Sequence, residues 1–311
     1  MVKENCSQVT EFLFTEFTAD PAIQVMLFML FLGIYLTTMV GNLGIIFLIR
    51  ADYQLHTPMY YFLGNLAFVD ICYSTLITPK LMADLITKRK AISYAGCAVQ
   101  VFTLCLFGVT ECILLATMAY DRYVAICTPL VYSVIMSPRL CVQLVFGSFL
   151  AGWVNAVTQT AGMLQLTFCG SNVIDLFFCD ISPLLSLSNS DTTINHIVIL
   201  VVTIVFGVFS ILIVLISYIF ILSTILRIHS TKGKCKAFST CASHFMAVSV
   251  FYGTCLCIYL KSNSNNSRAK DKVLSVFYTV VTPMLNALIY SLRNKEVKDA
   301  LRKVINKKCY F

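Results

Sequence analysis

An acid and a base stand side by side at the end of a long apolar stretch. Asp121 and Arg122 follow residues 97–120, where Glu111 is the only charged residue. Roughly 20 apolar residues cross the hydrocarbon core of a bilayer as a helix, so the pair is expected where a membrane helix reaches water. Neighbouring opposite charges can pair in one state and separate in another. The motif therefore indicates either a conformational switch or charges that only fix the depth of the helix.

Four further polar groups lie inside apolar segments: Asn42, Asp70, Glu111 and Asn286. A charge at mid-membrane costs about 2.5–3.5 kcal/mol, so such side chains face the bundle interior and have partners. Two carboxylates and two amides at similar depth can hold a sodium ion, share protons or form a network that rearranges. The alternative is a static hydrogen-bonded cluster.

Catalytic machinery is not indicated. No Ser-His-Asp, zinc-spaced or phosphate-loop pattern occurs in the sequence. His244, near the end of an apolar segment, is expected to point inward, and a lone histidine there is more often a hydrogen-bonded core residue than a ligand. We expect a protein that is not an enzyme, with no cofactor apart from a candidate allosteric sodium ion at Asp70 and Glu111.

Composition indicates a membrane protein. Of the 311 residues, 58% are hydrophobic and only 12% are charged, about half the usual soluble share of ~25%. The net charge of +8 raises the question of nucleic acid, but the basic residues sit in short loops and the tail, with no basic groove that contains interleaved aromatics. Nucleic-acid binding is therefore not predicted.

Seven apolar segments predict an all-α membrane protein, a seven-transmembrane helix bundle. They run roughly over 22–49, 58–81, 97–120, 140–166, 196–226, 237–260 and 273–292. Lys and Arg are in excess on the side of the membrane that would hold the C-terminus. This excess predicts a cytoplasmic C-terminus and an extracellular N-terminus in the plasma membrane. Residues 88–90, Lys-Arg-Lys, count against this orientation. Asn5 opens a glycosylation tripeptide, which requires an exported N-terminus.

Three regions follow: an extracellular tail (1–21), the membrane domain (22–293) and a cytoplasmic helix with tail (294–311). In the last region one predicted helical face is apolar and the other is basic. This pattern predicts a short amphipathic helix on the membrane surface, where anionic lipids attract it; the alternative is a solvated basic tail. The apolar face comprises Val297, Leu301, Val304 and Ile305.

Most of the 14 cysteines lie in or beside apolar runs, where cysteine acts as a small hydrophobe. Four are expected to face an oxidising compartment, in which disulfides persist. These are Cys6, Cys97, Cys169 and Cys179.

Seven sequence motifs in order cover nearly the whole chain. They are GN at 41–42, LHTPMYYFL at 55–63, MAYDRYVAIC at 118–127, SY at 217–218, KAFSTCASH at 236–244, PMLN at 283–286 and IYSLRN at 289–294. With them the chain resembles the odorant receptors of the rhodopsin-like G-protein-coupled class.

The resemblance implies roles for these residues. Asp121, Arg122 and Tyr123 would hold the resting state and, with Tyr218 and Tyr290, form the inner cleft for a G-protein helix; His244 belongs to the same switch region. Asn42, Asp70, Glu111 and Asn286 match the sodium and polar-network positions. Cys97 would pair with Cys179 and tie the long outer loop over the ligand pocket.

The resemblance also implies a ligand pocket in the outer half of the bundle. Its lining would be apolar with a few hydroxyls and no charge, which suits a small neutral organic molecule. For any single residue, plain helix packing is about as good an interpretation. The positions are Leu104, Cys105, Gly108, Val109 and Cys112 on the third span, Val202, Thr203 and Phe206 on the fifth, Tyr252, Cys255 and Tyr259 on the sixth, and Val276 and Thr279 on the seventh.

Two positions depart from the family pattern. Ala287 stands where a proline usually follows Asn286, so we expect a straighter seventh span with altered switching. Asn189 replaces a loop cysteine that usually pairs with the position of Cys169, so we expect Cys169 to be free or bridged to Cys6.

The function expected from the resemblance is an odorant receptor. It would bind a small volatile ligand and activate a stimulatory olfactory heterotrimeric G protein, which raises cyclic AMP. Three alternatives stay open: a related receptor for an endogenous lipid or metabolite outside the nose, a seven-span channel or transporter, and a structural membrane protein without a ligand.

Overall fold

The protein folds as a bundle of long helices. A computed structural model describes residues 9–259 and 267–308. Six helices are long and apolar enough to cross a membrane, and the remaining span has an apolar part at Cys241–Cys257. The spans, first to seventh, are Pro21–Ala51, Pro58–Ile86, Tyr94–Cys127, Pro138–Leu164, Thr193–Arg227, Thr231–Tyr259, and Ser267–Val276 continuing to Thr282–Arg293.

Local sequence signals explain where several spans begin. Pro21, Pro58 and Pro138 each occupy the first turn, where the missing N–H of proline costs nothing and its fixed φ suits the helix. Asp20 caps the first span by accepting from the Ala22 amide at 2.8 Å. Ser93 caps the third span in the same way, from the Gly96 amide at 3.1 Å, which satisfies one of the free donors at a helix start.

The third span is longer than the apolar run that predicts it. It continues to Cys127, so Asp121 and Arg122 are only 1% and 8% exposed. The end of the apolar run therefore does not mark the end of the helix, and both side chains are covered by protein. The cause is packing of the added turns, since Val124 is buried and the ring of Tyr123 packs on that of Phe220 of the fifth span.

Glycine permits the closest helix contact in the core. A Cβ at Gly152 of the fourth span would overlap the carbonyl oxygen of Leu106 and the hydroxyl of Thr110, both on the third span. The Thr110 hydroxyl donates to Leu106 O at 2.7 Å and also lies 3.4 Å from Ser148 O. Small residues that allow backbones to approach are a general feature of helix association in membranes.

The N-terminal segment is part of a small sheet. Strand β1, Glu11–Phe14, pairs antiparallel with β2, Ala91–Ser93, and parallel with β3, Val173–Ile174. Arg89 and Lys90 form ion pairs with Glu11 and Glu16. The basic run at 88–90 therefore has acidic partners on this face, which we call the N-terminal face.

The opposite face, the C-terminal face, carries the amphipathic helix Lys295–Lys308. Val297 and Ala300 are buried, whereas Leu301 is 43% exposed. Val304 packs partly buried against the core, so the inward face includes Val297 and Val304 of the predicted stripe, with Ala300 in place of Leu301; the side chain of Ile305 lies outside the described residues. Lys303 anchors the helix through contacts at 3.0 Å to Asp52 and 2.7 Å to Gln54.

We predict that Gly152→Ala destabilises the bundle. The added methyl group meets backbone of the third span, and overpacking of this kind costs about 1–3 kcal/mol. Thermal unfolding of the purified protein should show a midpoint several degrees lower. Gly147→Ala in the same helix is the control, because a Cβ there meets nothing within 4 Å. Equal midpoints for the two variants would contradict the close approach.

Candidate switch and ligand pocket

Tyr132, rather than Arg122, holds Asp121 in this structure. The Tyr132 hydroxyl donates to Asp121 Oδ1 at 2.8 Å. Asp121 Oδ2 and Arg122 Nε are buried without a hydrogen-bond partner in the described residues. Burial is the main cause that raises the pKa of Tyr132, and the negative charge of Asp121 is the second cause. The phenol therefore stays a neutral donor. The sequence analysis missed Tyr132, which follows the third span in the short helix Tyr132–Ile135.

His244 joins three spans through its two ring nitrogens. Its Nε2 lies 3.1 Å from the carbonyl oxygen of Leu115 on the third span, and its Nδ1 lies 2.8 Å from the hydroxyl of Tyr218 on the fifth. A carbonyl oxygen only accepts, so Nε2 carries the proton and Nδ1 accepts from Tyr218. His244 is the hydrogen-bonded core residue that the sequence favoured.

The other predicted switch residues lie at the same end of the bundle. Tyr290 of the seventh span is buried, and its hydroxyl has no hydrogen-bond partner within the described residues. Tyr123 is half-buried, with its ring 6.2 Å from that of Tyr120. Arg122 and Tyr290 thus each carry a buried polar atom that a different packing of the spans could satisfy.

Three of the four predicted network residues meet at the centre of the bundle. Asn286 Nδ2 lies 3.3 Å from both Asp70 Oδ1 and Glu111 Oε1 and donates to them. Asn42 stands apart, since its Nδ2 donates to Thr38 O at 3.1 Å and approaches Pro283 O at 3.5 Å. The cluster is therefore three residues plus a separate amide that links the first and seventh spans.

The donor atoms of this cluster suit a small hard cation. Asp70 Oδ2, Asn286 Oδ1 and Ser74 Oγ are buried without partners in the described part of the chain. Two carboxylates with neutral oxygens are ligands that hard cations prefer. Ser74 was missed by the sequence analysis, although its position four residues after Asp70 places both on one helix face. No cluster of three or more His, Cys, Asp or Glu occurs among the described residues.

One third-span position of the predicted ligand pocket, Gly108, lies beside an aromatic group. Gly108 faces the seventh span, since a Cβ there would lie 3.2 Å from the hydroxyl of Tyr278. The ring of Tyr278 lies 5.8 Å from that of Tyr73 and 6.4 Å from that of Phe251. The sequence analysis missed all three aromatic residues. Leu104 and Val109 are buried here, and Cys105 and Cys112 are half-buried.

The remaining predicted pocket residues differ in their surroundings. Tyr252 and Thr279 are buried; Cys255 and Val276 are half-buried. The side chain of Tyr259 lies outside the described residues. On the fifth span, Val202, Thr203 and Phe206 are half-buried at a π-helical turn, Thr203–Val208. Two of them, Val202 and Phe206, line a crevice between the fourth and fifth spans.

The long loop is tied over the third span as predicted. Cys97 and Cys179 form a disulfide, and the Cys179 amide donates to Gln100 Oε1 at 3.0 Å. The next residue of the loop, Asp180, is an acid at the start of the short helix Ile181–Leu187. Burial raises the pKa of Asp180, opposed by the Ile181 amide, which donates to its carboxylate at 2.7 Å.

The two positions that depart from the family pattern have distinct outcomes. Cys169 is disulfide-bonded, so the expectation of a free thiol is wrong; the other expectation, a bridge to Cys6, falls on a residue outside the described ones. Asn189 still holds this loop, because its Oδ1 accepts from the Cys169 amide at 2.8 Å. Ala287 is buried within a regular helix, Thr282–Arg293, and the irregular turn lies earlier, at Phe277–Val281.

Comparison with known proteins decides the family. The olfactory receptor family model matches residues 31–308. The chain belongs to the olfactory receptor family. It is 52% identical to mouse "Olfactory receptor 5G9" over 100% of this chain and 99% of that protein. It is 53% identical to human "Olfactory receptor 8D4" over 98% of this chain and 97% of that one.

The fold of this olfactory receptor is also that of a solved structure. The crystal structure of squid rhodopsin matches with a TM-score of 0.70 and 18% identity, covering 93% of this chain and 87% of that chain. The receptor is thus a seven-span, rhodopsin-like, multi-pass plasma membrane protein and not an enzyme. The expected family and fold class are confirmed.

We predict that Tyr218→Phe weakens the link between the third, fifth and sixth spans. The substitution leaves His244 Nδ1 buried without a donor, and an unsatisfied buried group costs about 1–3 kcal/mol. The purified receptor should unfold at a lower temperature. Tyr120→Phe is the control, because Tyr120 is 37% exposed. A loss of stability in the control as large as in Tyr218→Phe would show that the effect is not specific to the histidine contact.

Proposed function

We propose that this receptor binds a small, mostly apolar, neutral organic molecule in the half of the bundle next to the N-terminal face. The ligand would lie between the third, sixth and seventh spans, close to Gly108 and the aromatic group of Tyr73, Phe251 and Tyr278. Apolar walls with a few convergent polar groups are typical of small-molecule sites. The hydroxyls of these tyrosines and of Tyr252 supply the polar groups that would orient the ligand.

The receptor's output would be activation of a stimulatory heterotrimeric G protein, which raises cyclic AMP. The main support for this proposal is the pair of hydrogen bonds that links His244 to Leu115 and Tyr218. An outward movement of the sixth span at the C-terminal face has to break these hydrogen bonds. Arg122 and Tyr290, which hold unpaired buried polar atoms, would find new partners in the opened cleft. A ligand favours this state only by binding it more tightly than the resting state.

Topology follows from the same proposal. The N-terminal face, with the sheet and the disulfide, would be extracellular, and the C-terminal face would be cytoplasmic. The disulfide between Cys97 and Cys179 supports this orientation, because disulfides persist in oxidising compartments. Asn5 would be glycosylated on the outer side. The basic helix Lys295–Lys308 would lie against anionic lipids of the inner leaflet.

Sodium is proposed as an allosteric ion of the resting state. Asp70, Glu111 and Asn286 would hold it, with Ser74 as a neutral ligand. When bound, the ion would supply positive charge between the two buried carboxylates. The protein's own part is to keep both carboxylates at one site through the shared Asn286 amide.

We predict that Arg122→Ala abolishes the ligand response. Arg122 is a buried cation of the proposed cleft, and its loss should lower the cyclic AMP response at least tenfold in cells exposed to a panel of neutral volatile compounds. Arg139→Ala, an exposed arginine near the same face, should respond like the parent. Surface expression is matched by antibody labelling. A full response in Arg122→Ala would refute coupling through this motif.

We also predict that sodium stabilises the receptor through Asp70. A ligand that binds only the folded state raises stability by RT ln(1 + [L]/Kd). Thermal midpoints should therefore rise when sodium chloride replaces choline chloride at equal ionic strength, and the rise should vanish in Asp70→Asn. The control is Asp84→Asn, another buried acid of the same span, which pairs with Lys80 at 2.5 Å. A sodium effect that persists in Asp70→Asn would place the ion elsewhere.

A further inference from the structure

A crevice of about 510 Å³ opens between the fourth and fifth spans. It lies on the outside of the bundle, and apolar side chains at its edge, such as Leu150 and Val201, are about half exposed. In a membrane these side chains face lipid. The residues of the crevice that carry the argument are Gly147, Ala151, Asn155 and Thr158 on the fourth span and Phe206 on the fifth.

Two polar side chains of the crevice have oxygen atoms that can accept a hydrogen bond from a ligand. Asn155 is 6% exposed, and its Nδ2 donates to the carbonyl oxygen of Cys105 at 3.0 Å. Its Oδ1 is buried with no partner in the described part of the chain. The hydroxyl of Thr158, three residues later, donates to Val154 O at 2.8 Å, so its lone pairs remain available.

An unsatisfied amide oxygen inside a membrane is costly, because no water is present to hydrogen-bond it. Asn155 Oδ1 is therefore an acceptor that a hydrogen-bond donor from a ligand could satisfy. None of the residues that line the crevice is ionisable, so a charged donor would have no counter-charge. The wall selects a neutral ligand with a hydrogen-bond donor and an apolar body.

The crevice is closed toward the N-terminal face. A Cβ at Gly162 would lie 2.5 Å from Asn195 Nδ2, so the fourth and fifth spans touch at this level. A ligand therefore enters sideways from the bilayer. Asn155 lies nine residues before Leu164, the last residue of the fourth span, which is about 13 Å along a helix that rises ~1.5 Å per residue. That depth is below the water interface where a sterol keeps its hydroxyl, but a short alcohol can reach it.

We propose that this crevice is a second binding site, which takes a small neutral alcohol or phenol dissolved in the bilayer. The ligand hydroxyl donates to the acceptors of the fourth span, and its apolar body lies between Ala151 and Phe206. The π-helical turn at Thr203–Val208 forms the facing wall, and such turns often occur at functional sites. The site does not depend on the ligand pocket or on the G-protein coupling proposed above.

The test uses the full-length receptor in phosphatidylcholine nanodiscs and two photoreactive probes. One is an octanol with a diazirine on its chain, and the other is the methyl ether of the same molecule. After irradiation, labelled peptides are mapped by mass spectrometry. We expect saturable labelling of the fourth and fifth spans by the alcohol, displaced by excess octanol. The ether should label these peptides about fivefold less, as loss of one net hydrogen bond implies.

Two variants locate the site. Gly147→Leu fills the crevice, since a Cβ there meets nothing within 4 Å, and should lower alcohol labelling at least fivefold. Gly33→Leu is the control, because Gly33 is an exposed first-span glycine whose Cβ also meets nothing, and its labelling should match the parent.

Three results would overturn the proposal. The first is equal labelling of the parent protein by the alcohol and the ether. This comparison does not depend on whether a variant folds. The second is unchanged labelling in Gly147→Leu. The third is complete displacement of the alcohol by cholesterol included in the nanodiscs, which would assign the crevice to a sterol.

Discussion

The lack of water in the membrane interior is the constraint on which this structure depends. Every buried polar group must find its partner inside the bundle, and the third span supplies many of those partners. Its backbone carbonyls accept from His244 and Asn155, and its Glu111 accepts from Asn286. These bonds join the fourth, sixth and seventh spans to one central helix. The bundle is organised by where its polar atoms lie, because apolar contacts alone do not distinguish lipid from a neighbouring helix.

The same constraint explains which buried atoms are informative. Three sets of unpaired atoms among the described residues are of interest: those of Arg122 and Tyr290, those of Asp70 and Asn286, and that of Asn155. In a protein with a single rigid state and no ligands, each unpaired atom would only lower the stability of the fold. In a receptor, the first set can be satisfied by a rearranged state, the second by an ion and the third by a small molecule. We propose that these three sets of unpaired atoms mark points where the receptor changes state or binds a ligand.

The sequence was sufficient for the number and approximate limits of the spans, because long uncharged runs have few alternatives. It was also sufficient to place Asp70, Glu111 and Asn286 together, since charges in a membrane need inward positions and partners. It was not sufficient for Tyr132, Tyr73 or Tyr278. Tyrosine is compatible with lipid interfaces, cores and pockets, so its type alone does not give its partner. Which face of a span a tyrosine occupies depends on helix rotation, and rotation is fixed by contacts such as the overlap at Gly152.

Two outcomes that the sequence did not show have a common physical origin. The apolar run ends before Asp121, but the helix continues to Cys127, and the side chains of Asp121 and Arg122 are buried. Cys169 was expected to have lost its partner because a loop cysteine is replaced, yet it is bonded. In both cases a local rule was applied to a residue whose surroundings come from distant segments.

Strand β1 has a consequence for how the chain is made. It pairs with Ala91–Ser93 and with Val173–Ile174, so this strand must wait for a segment some 160 residues later in the chain before its sheet is complete. Pairing between such distant segments is slow, because the loop between them must close first. Until then the sheet on the N-terminal face is incomplete, and the fifth, sixth and seventh spans are still to be made. The sheet can therefore close once the long loop has been made, before the last three spans join the bundle.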